Sequence, residues 1–316
     1  MIRVICLKTM QEAPPPRHAV LCLGNFDGVH IGHRALVAET IRQKELLSAA
    51  LDDVVSGAWF FDIHPSHLLS ASPLPRITST KEKLAYFAEL GLEYAFLADF
   101  ALLKDYAPRE FVKDILCDLC HCVYAVCGYN FRFAKMALGD ANALVSLMDG
   151  RGSILNCVTL DGISVSSSAV RALVTNGDTE LAAQMLGRPF CFSAPVLHGK
   201  ELGQTIGVPT INQHFPKEAV RPKNGIYVSR TWIDGTPYPS VSNIGHRPTF
   251  DDGNTINCET HIIGYDGNLY GRELKVEFFK RLRGEIRFPS LDALKEQLSM
   301  DILSAKRYFE EQRRQI

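Results

Sequence analysis

The sequence predicts an α/β doubly wound parallel sheet over residues 1–186, followed over 187–316 by a small antiparallel β-barrel with a C-terminal helix. Up to Leu186, short apolar runs of strand length alternate with stretches whose apolar residues recur at helical spacing, the pattern of a parallel sheet with crossover helices. From Phe190 to about Phe279, β-type runs are broken by Asn224-Gly225, Asp234-Gly235, Asp252-Gly253 and Asp266-Gly267, which read as hairpin turns. At 316 residues, each half is long enough to bury its own core.

The elements follow in order. Ala19 to Leu23 is a strand, and Leu36, Val37, Ile41 and Leu47 behind it mark a helix. Val54 to Phe61 is the second strand. Ser79 and Glu82 form a capping box that opens a helix through Leu84 and Phe87, with Gly91 just past its end. Tyr94–Leu97, Val123–Cys127 and Ile154–Leu160 are further strands, with helical segments at 108–120, 140–149 and 167–175. A short helix after Asp178 carries Leu181, Met185 and Leu186 and ends at Gly187-Arg188-Pro189. Leu291, Leu294, Leu298 and Ile302 mark the closing helix. No internal repeat and no low-complexity tract occurs.

Lys and Arg number 34 against 35 Asp and Glu, so no extended basic surface for nucleic acid is expected, although a local basic pocket for phosphate is compatible with this balance. No apolar run reaches the length of about 18 residues that a membrane span needs. The N-terminal stretch with Arg3 and Lys8 is too short for a secretory signal, which points to a cytoplasmic protein. Nine cysteines, an odd count, argue against a disulfide framework. Cys117, Cys120 and Cys122 surround His121, with Cys127 beyond; reduced thiols in a core is the commoner fate of such residues, and structural zinc is the alternative.

The most informative stretch is Gly24-Asn25-Phe26-Asp27-Gly28-Val29-His30-Ile31-Gly32-His33, placed where a strand turns into a helix. Free backbone N–H groups and the positive end of a helix dipole bind phosphate there. His30 and His33, three apart, can project from one face of the turn. The string resembles the signature of the nucleotidylyltransferase superfamily, and its wording is most similar to the bacterial bifunctional riboflavin kinase/FMN adenylyltransferases, also called FAD synthetases. The resemblance implies a nucleotidylyltransferase-like sheet, riboflavin, FMN and ATP as substrates, and FMN and FAD as products.

Further segments extend the resemblance from about residue 19 to 308. His64-Pro65 matches the end of a Phe-x-Pro-His-Pro segment, Ile63 departing from it, and implies a flavin contact for His64. Gly128-Tyr129-Asn130-Phe131-Arg132-Phe133 matches a loop that would hold nucleotide through Asn130; Ala134 stands where glycine is usual, and would strain the turn if that glycine serves a positive φ. Ser166-Ser167-Ser168 and Arg171 match a triphosphate-binding helix start. With Gly24, Phe26, Asp27 and Gly28, these form the nucleotide set; Asp27 is left between ordering the loop and approaching a metal. His30 and His33 would donate to the phosphates.

In the second half, His198 to Asn212 is a glycine-rich β-loop without a Walker ending. It resembles the riboflavin kinase segment in which Gly199, Gly203 and Gly207 would face ATP phosphates while Thr210 and Asn212 hold Mg²⁺. Ala194 and Gln204 depart from the pattern. Asn224-Gly225-Ile226-Tyr227 and Asn243 to Phe250 match further family segments. Glu259 in Glu259-Thr260-His261 matches the general base, and Arg281 and Arg283 match a flavin-binding segment. The closing helix and the loop before it would cover the flavin. The departures motivate one competing reading, a flavin- or nucleotide-binding regulatory protein that has lost one activity. Nothing in the sequence points to an oligomeric state.

Overall fold

The structure is a computed structural model that describes residues 2–7, 16–63, 66–69, 71–198, 207–246 and 256–314. It divides into two compact units, Met1–Ser167 and Ser168–Ile316.

In the first unit, β1 (Arg3–Cys6), β2 (His18–Leu23), β3 (Val54–Phe61), β4 (Tyr94–Ala98), β5 (Cys122–Gly128) and, after the short pair β6 (Arg132–Phe133) and β7 (Gly139–Asp140), β8 (Gly152–Leu155) supply the strands. Six of them form one sheet in the order β1-β4-β3-β2-β5-β8, every pairing parallel. Such a sheet must be covered on both faces, and apolar runs rather than alternation are its sequence signature. Leu21, Leu23, Trp59 and Phe96 pack on one side with Phe111, Leu116, Leu144 and Met148. Cys22, Ala58 and Phe60 pack on the other with Val37 and Phe87. From β2 the chain moves to β3 on one side and later to β5 on the other, so the crevice beyond the carboxyl ends of β2 and β5 is the switch point where such sheets bind ligands.

Helix α1 (Ile31–Leu47) follows β2; α2 (Ser66–Leu69), α3 (Thr80–Glu89), α4 (Phe100–Leu103), α5 (Pro108–Glu110) and α6 (Ala141–Leu147) complete the layers. Ser79 and Glu82 make the expected capping box reciprocally. Phe111–Leu119, expected as ordinary helix, winds as a π-helix, placing Phe111, Val112, Ile115 and Leu116 in the core. The single strand expected over Ile154–Leu160 is two elements: β8 stops at Leu155, and β9 (Thr159–Leu160) turns back on β10 (Ile163–Ser164). Asp161 and Gly162 both take positive φ, 49° and 78°, closing the two-residue hairpin that suits strand twist.

Helix α7 (Ser167–Asn176) starts on the last residue of the first unit and otherwise belongs to the second, which continues with α8 (Thr179–Leu186), β11 (Phe190–Pro195), β12 (Ile211–His214), β13 (Gly225–Ile233), β14 (Thr236–His246), β15 (Ile256–Ile262), β16 (Glu273–Arg283) and α9 (Leu291–Arg314). The strands pair antiparallel in the order β11-β16-β13-β14-β15-β12, and Leu197 N–H donates to Asn212 O at 2.8 Å, nearly closing the barrel. Its interior combines the stacked rings of Phe190, Phe192, Phe215 and Phe278 with a hydroxyl ladder, Ser229–Ser242–Thr260, linked at 2.7 and 2.8 Å. On the outer face, Ala305, Ile302, Tyr308 and Phe309 of α9 cover Ile226, Val228 and Val241.

Asp234-Gly235 is the expected tight turn, joining β13 to β14. Asn224-Gly225 is not a hairpin turn: Gly225 begins β13 beside β16, where a Cβ would lie 2.3 Å from the carbonyl oxygen of Arg283. Asp252-Gly253 lies outside the described residues. The compact units divide ahead of the boundary expected at 186/187, because α8 lies against β16 and β11 and Thr179 Oγ1 donates to Phe279 O at 3.0 Å.

The cysteines are all free thiols. Cys120, Cys122 and Cys127 belong to the first core, Cys117 packs against it, and burial pushes Cys122 and Cys127 up to about 12. Among the described residues no three His, Cys, Asp or Glu side chains gather as a metal site, and no helix is long and apolar enough to cross a membrane.

Candidate active site

The turn after β2 is held in a strained form by its own core. Phe26 and Val29 have φ of 51° and 41°, a region that costs a non-glycine residue energy, and Gly28 has 87°. Both strained side chains are fully buried; Phe26 packs edge-on to Phe60, Phe87 and His33. The side chain of Phe26 is therefore committed to the core, and only its main chain faces the turn. Asp27 accepts from Ile77 N–H at 3.0 Å and Thr78 N–H at 3.1 Å, while Gly28 N–H donates to Thr78 Oγ1 at 2.9 Å. Of its two expected roles, ordering the loop is the one this geometry displays.

His30 is the N-cap of α1, its Nδ1 accepting from His33 N–H at 3.3 Å. That bond places the proton of the neutral ring on Nε2, making it a donor. The two imidazoles stack, and no acidic residue in the first turn of α1 opposes the helix dipole. Ser167, the last residue of the first unit, donates through Oγ to Asp27 O at 2.8 Å. Asn130 lies exposed just beyond β5, at the other side of the switch point. Ser168 is exposed and Arg171 buried in the second unit. His64 lies outside the described residues. Sequence reading missed Lys83, whose buried ammonium donates to Asn25 O at 3.0 Å over the ring of Phe60, pinning the turn from α3; its helical setting disguised it as a solvated lysine.

On the outer face of the barrel, β12, β15 and β14 bring Asn212, Glu259 and Asn243 into direct register. Asn257, two residues before Glu259, shares their face. Its Nδ2 donates to Asn212 Oδ1 at 3.2 Å and to Glu259 Oε1 at 3.0 Å. The amide oxygens of Asn243 and Asn257 are buried without a hydrogen-bond partner. Thr210 is half-buried one residue before β12. Gly207 has φ 77° with open space where a Cβ would stand; Gly199 and Gly203 lie outside the described residues. Asn257 also escaped sequence reading.

Arg281 and Arg283 are used within the unit. Arg281 donates to Asn224 O at 2.7 Å. Arg283 forms a two-pronged ion pair with buried Asp301 of α9, at 3.2 and 2.7 Å, and donates to Gly284 O. Such a pair anchors the closing helix to β16.

Two family models match the chain, FAD synthetase over residues 12–169 and riboflavin kinase over 186–309. The bifunctional riboflavin kinase/FMN adenylyltransferase of Escherichia coli K12 is 36% identical, covering 93% of this chain and 94% of its own. That of Bacillus subtilis 168 is 31% identical, covering 92% of each. A solved Streptococcus pneumoniae structure, described as a macrolide-efflux protein, superposes with a TM-score of 0.88 at 25% identity, covering 96% of this chain and 99% of its own. Fold and family models together define a FAD synthetase α/β unit followed by a riboflavin kinase barrel. The chain belongs to the bifunctional riboflavin kinase/FMN adenylyltransferase family, with both of its domains.

Proposed function

We propose that the chain carries out both reactions of its family, with adenylylation of FMN to FAD served by residues of 1–186 and phosphorylation of riboflavin to FMN by residues of 187–316. The observation that carries this division is the existence of two separate polar constellations, the stacked histidines at a helix start and the Asn212–Asn257–Glu259 cluster on the barrel.

In adenylylation, a phosphate oxygen of FMN attacks the α-phosphorus of ATP and pyrophosphate leaves. No protein nucleophile is needed, so catalysis is alignment and charge stabilisation. The Nε2–H of His30 and the ring of His33 donate to phosphate oxygens as negative charge grows, with the positive end of the α1 dipole beside them. Asn130 holds the nucleotide. Ser167, Ser168 and Arg171 serve the triphosphate, and His64 the flavin, on the strength of their motifs alone.

In phosphorylation, Glu259 accepts the proton of the riboflavin 5′-hydroxyl as that oxygen attacks the γ-phosphorus of ATP, whose bond to the bridging oxygen breaks to release ADP. The donor set around it is all oxygen, and the amide oxygen of Asn243 is buried without a partner, which fits a hard divalent cation. Thr210 and Asn212 would hold Mg²⁺, which when bound neutralises charge on the phosphates. Gly207, with open space where a Cβ would stand, leaves room for close approach of the polyphosphate; Gly199 and Gly203 are assigned to it on their motif alone. Arg281 and Arg283 act on the flavin through the structures they brace, the start of β13 and the α9 cover.

A Glu259→Gln variant tests the division. It keeps the shape and removes the proton acceptor, so riboflavin phosphorylation should fall by about 10²–10⁴ while supplied FMN is still converted to FAD. Wild-type phosphorylation in this variant would exclude Glu259 as base.

A further inference from the structure

We infer that Asn257 is a positioning residue for the proton acceptor, holding Glu259 in place by clamping it to a neighbouring strand. The inference rests on the reading of Glu259 as base. Asn257 and Glu259 are two apart on β15, so their side chains leave the same face, and Asn212 on β12 stands in register opposite Glu259. Both neighbours present acceptor oxygens to Asn257, which determines the amide orientation: its two N–H groups go one to Asn212 Oδ1 and one to Glu259 Oε1.

This arrangement is costly to Asn257 itself. The residue is 3% exposed, and its own Oδ1 is buried without a partner. Buried amides ordinarily satisfy both ends. Here the donor end is satisfied on the site at the expense of the acceptor end, so holding Glu259 is what the amide accomplishes at this position. The bond to Asn212 matters because it comes from another strand. An amide bonded only to Glu259 could swing with it, whereas one anchored across the β12–β15 pairing cannot. The carboxylate of a half-buried Glu, with three rotatable bonds, is thereby held in one rotamer, the preorganisation that a base needs before substrate arrives.

The consequence falls on turnover more than on binding. Asn257→Ala should lower kcat for riboflavin phosphorylation by about 10- to 100-fold and leave KM for riboflavin and ATP within about twofold. Asn257→Asp, matched in shape but lacking both donors, should lose at least as much and guards against a folding defect in the alanine variant. Thermal melting of each variant confirms that the barrel is intact. The deciding measurement is a double-mutant cycle with Glu259→Gln. If Asn257 acts through Glu259, adding Asn257→Ala to Glu259→Gln costs almost nothing more. Additive losses, or a wild-type kcat in folded Asn257→Ala and Asn257→Asp, overturn the inference. A wild-type kinase rate in Glu259→Gln alone instead overturns the reading of Glu259 as base, so the two failures are distinguishable.

Discussion

The imidazole of His30 stacks on that of His33, with ring centroids 3.6 Å apart and planes 16° from parallel. The residue between them that permits this is Gly32. A Cβ there would lie 3.2 Å from both Cε1 and Nδ1 of His30, closer than a ring can comfortably tolerate. The glycine of His-x-Gly-His thus lets one imidazole cap the helix while lying flat against the other.

Under the proposed assignment, replacing either ring removes one preorganised donor to the phosphates in adenylylation. His30→Ala or His33→Ala should cut FAD formation from FMN and ATP by about 10²–10³ and leave FMN formation from riboflavin nearly unchanged. Chromatographic separation of the flavins reads both rates in one assay. Equal loss of both would break the assignment of this turn to one reaction.

Ala134 takes φ 65° and ψ −174°, a conformation that belongs to glycine, and so meets the strain foreseen for an alanine at this point. Such a residue stores about 1–3 kcal/mol, while glycine adds about 0.4–1 kcal/mol of unfolded-state entropy. Ala134→Gly should therefore stabilise the first unit by roughly 1 kcal/mol. A raised denaturation midpoint at unchanged m-value would show it; a lowered midpoint would mean that the turn is not strained in solution.

What could be read from the sequence was what local chemistry determines. The strand Val54–Phe61 and the box of Ser79 with Glu82 depend on residues within one element, and both stand as expected. The edge strand Arg3–Cys6 escaped because it is short and half-exposed and gains its identity only by pairing with Tyr94–Leu97. Asn224-Gly225 looked like a turn, but its glycine answers a steric demand from Arg283, distant in sequence. Asn257 had no local signal, since its meaning comes from Asn212 across a strand pairing. The roles of Arg281 and Arg283 were incompletely legible for the same reason: Asp301, which engages Arg283, is on another element.

Burial pushes the thiols of Cys22, Cys122, Cys127 and Cys258 up to about 12. A raised folded value means that the native state keeps these protons where the unfolded chain loses them. Their contribution to stability is thus complete below about pH 9 and is lost as pH climbs toward 12. Melting temperature should fall progressively above pH 9, and native protein should expose only Cys6, Cys117 and Cys157 to a thiol reagent at neutral pH. Rapid modification of all nine cysteines without denaturant would contradict the burial.

The last prediction concerns where the barrel unit begins. The riboflavin kinase family model starts at 186, but α8 lies against β16 and β11, with Ala182, Met185 and Leu186 buried and Thr179 bonded to Phe279 O. A fragment of residues 168–316 keeps that cover, whereas 187–316 bares the strand surfaces beneath it. Loss of Met185 and Leu186 alone removes roughly 3–6 kcal/mol of apolar burial, a large share of the about 5–15 kcal/mol that stabilises a domain. The longer fragment should melt cooperatively and convert riboflavin to FMN. The shorter should melt well below it or aggregate. Neither carries His30 or His33, so neither should form FAD. Equal stability of the two would show that α8 is dispensable to the barrel, and FAD from either would place adenylylation in the wrong unit.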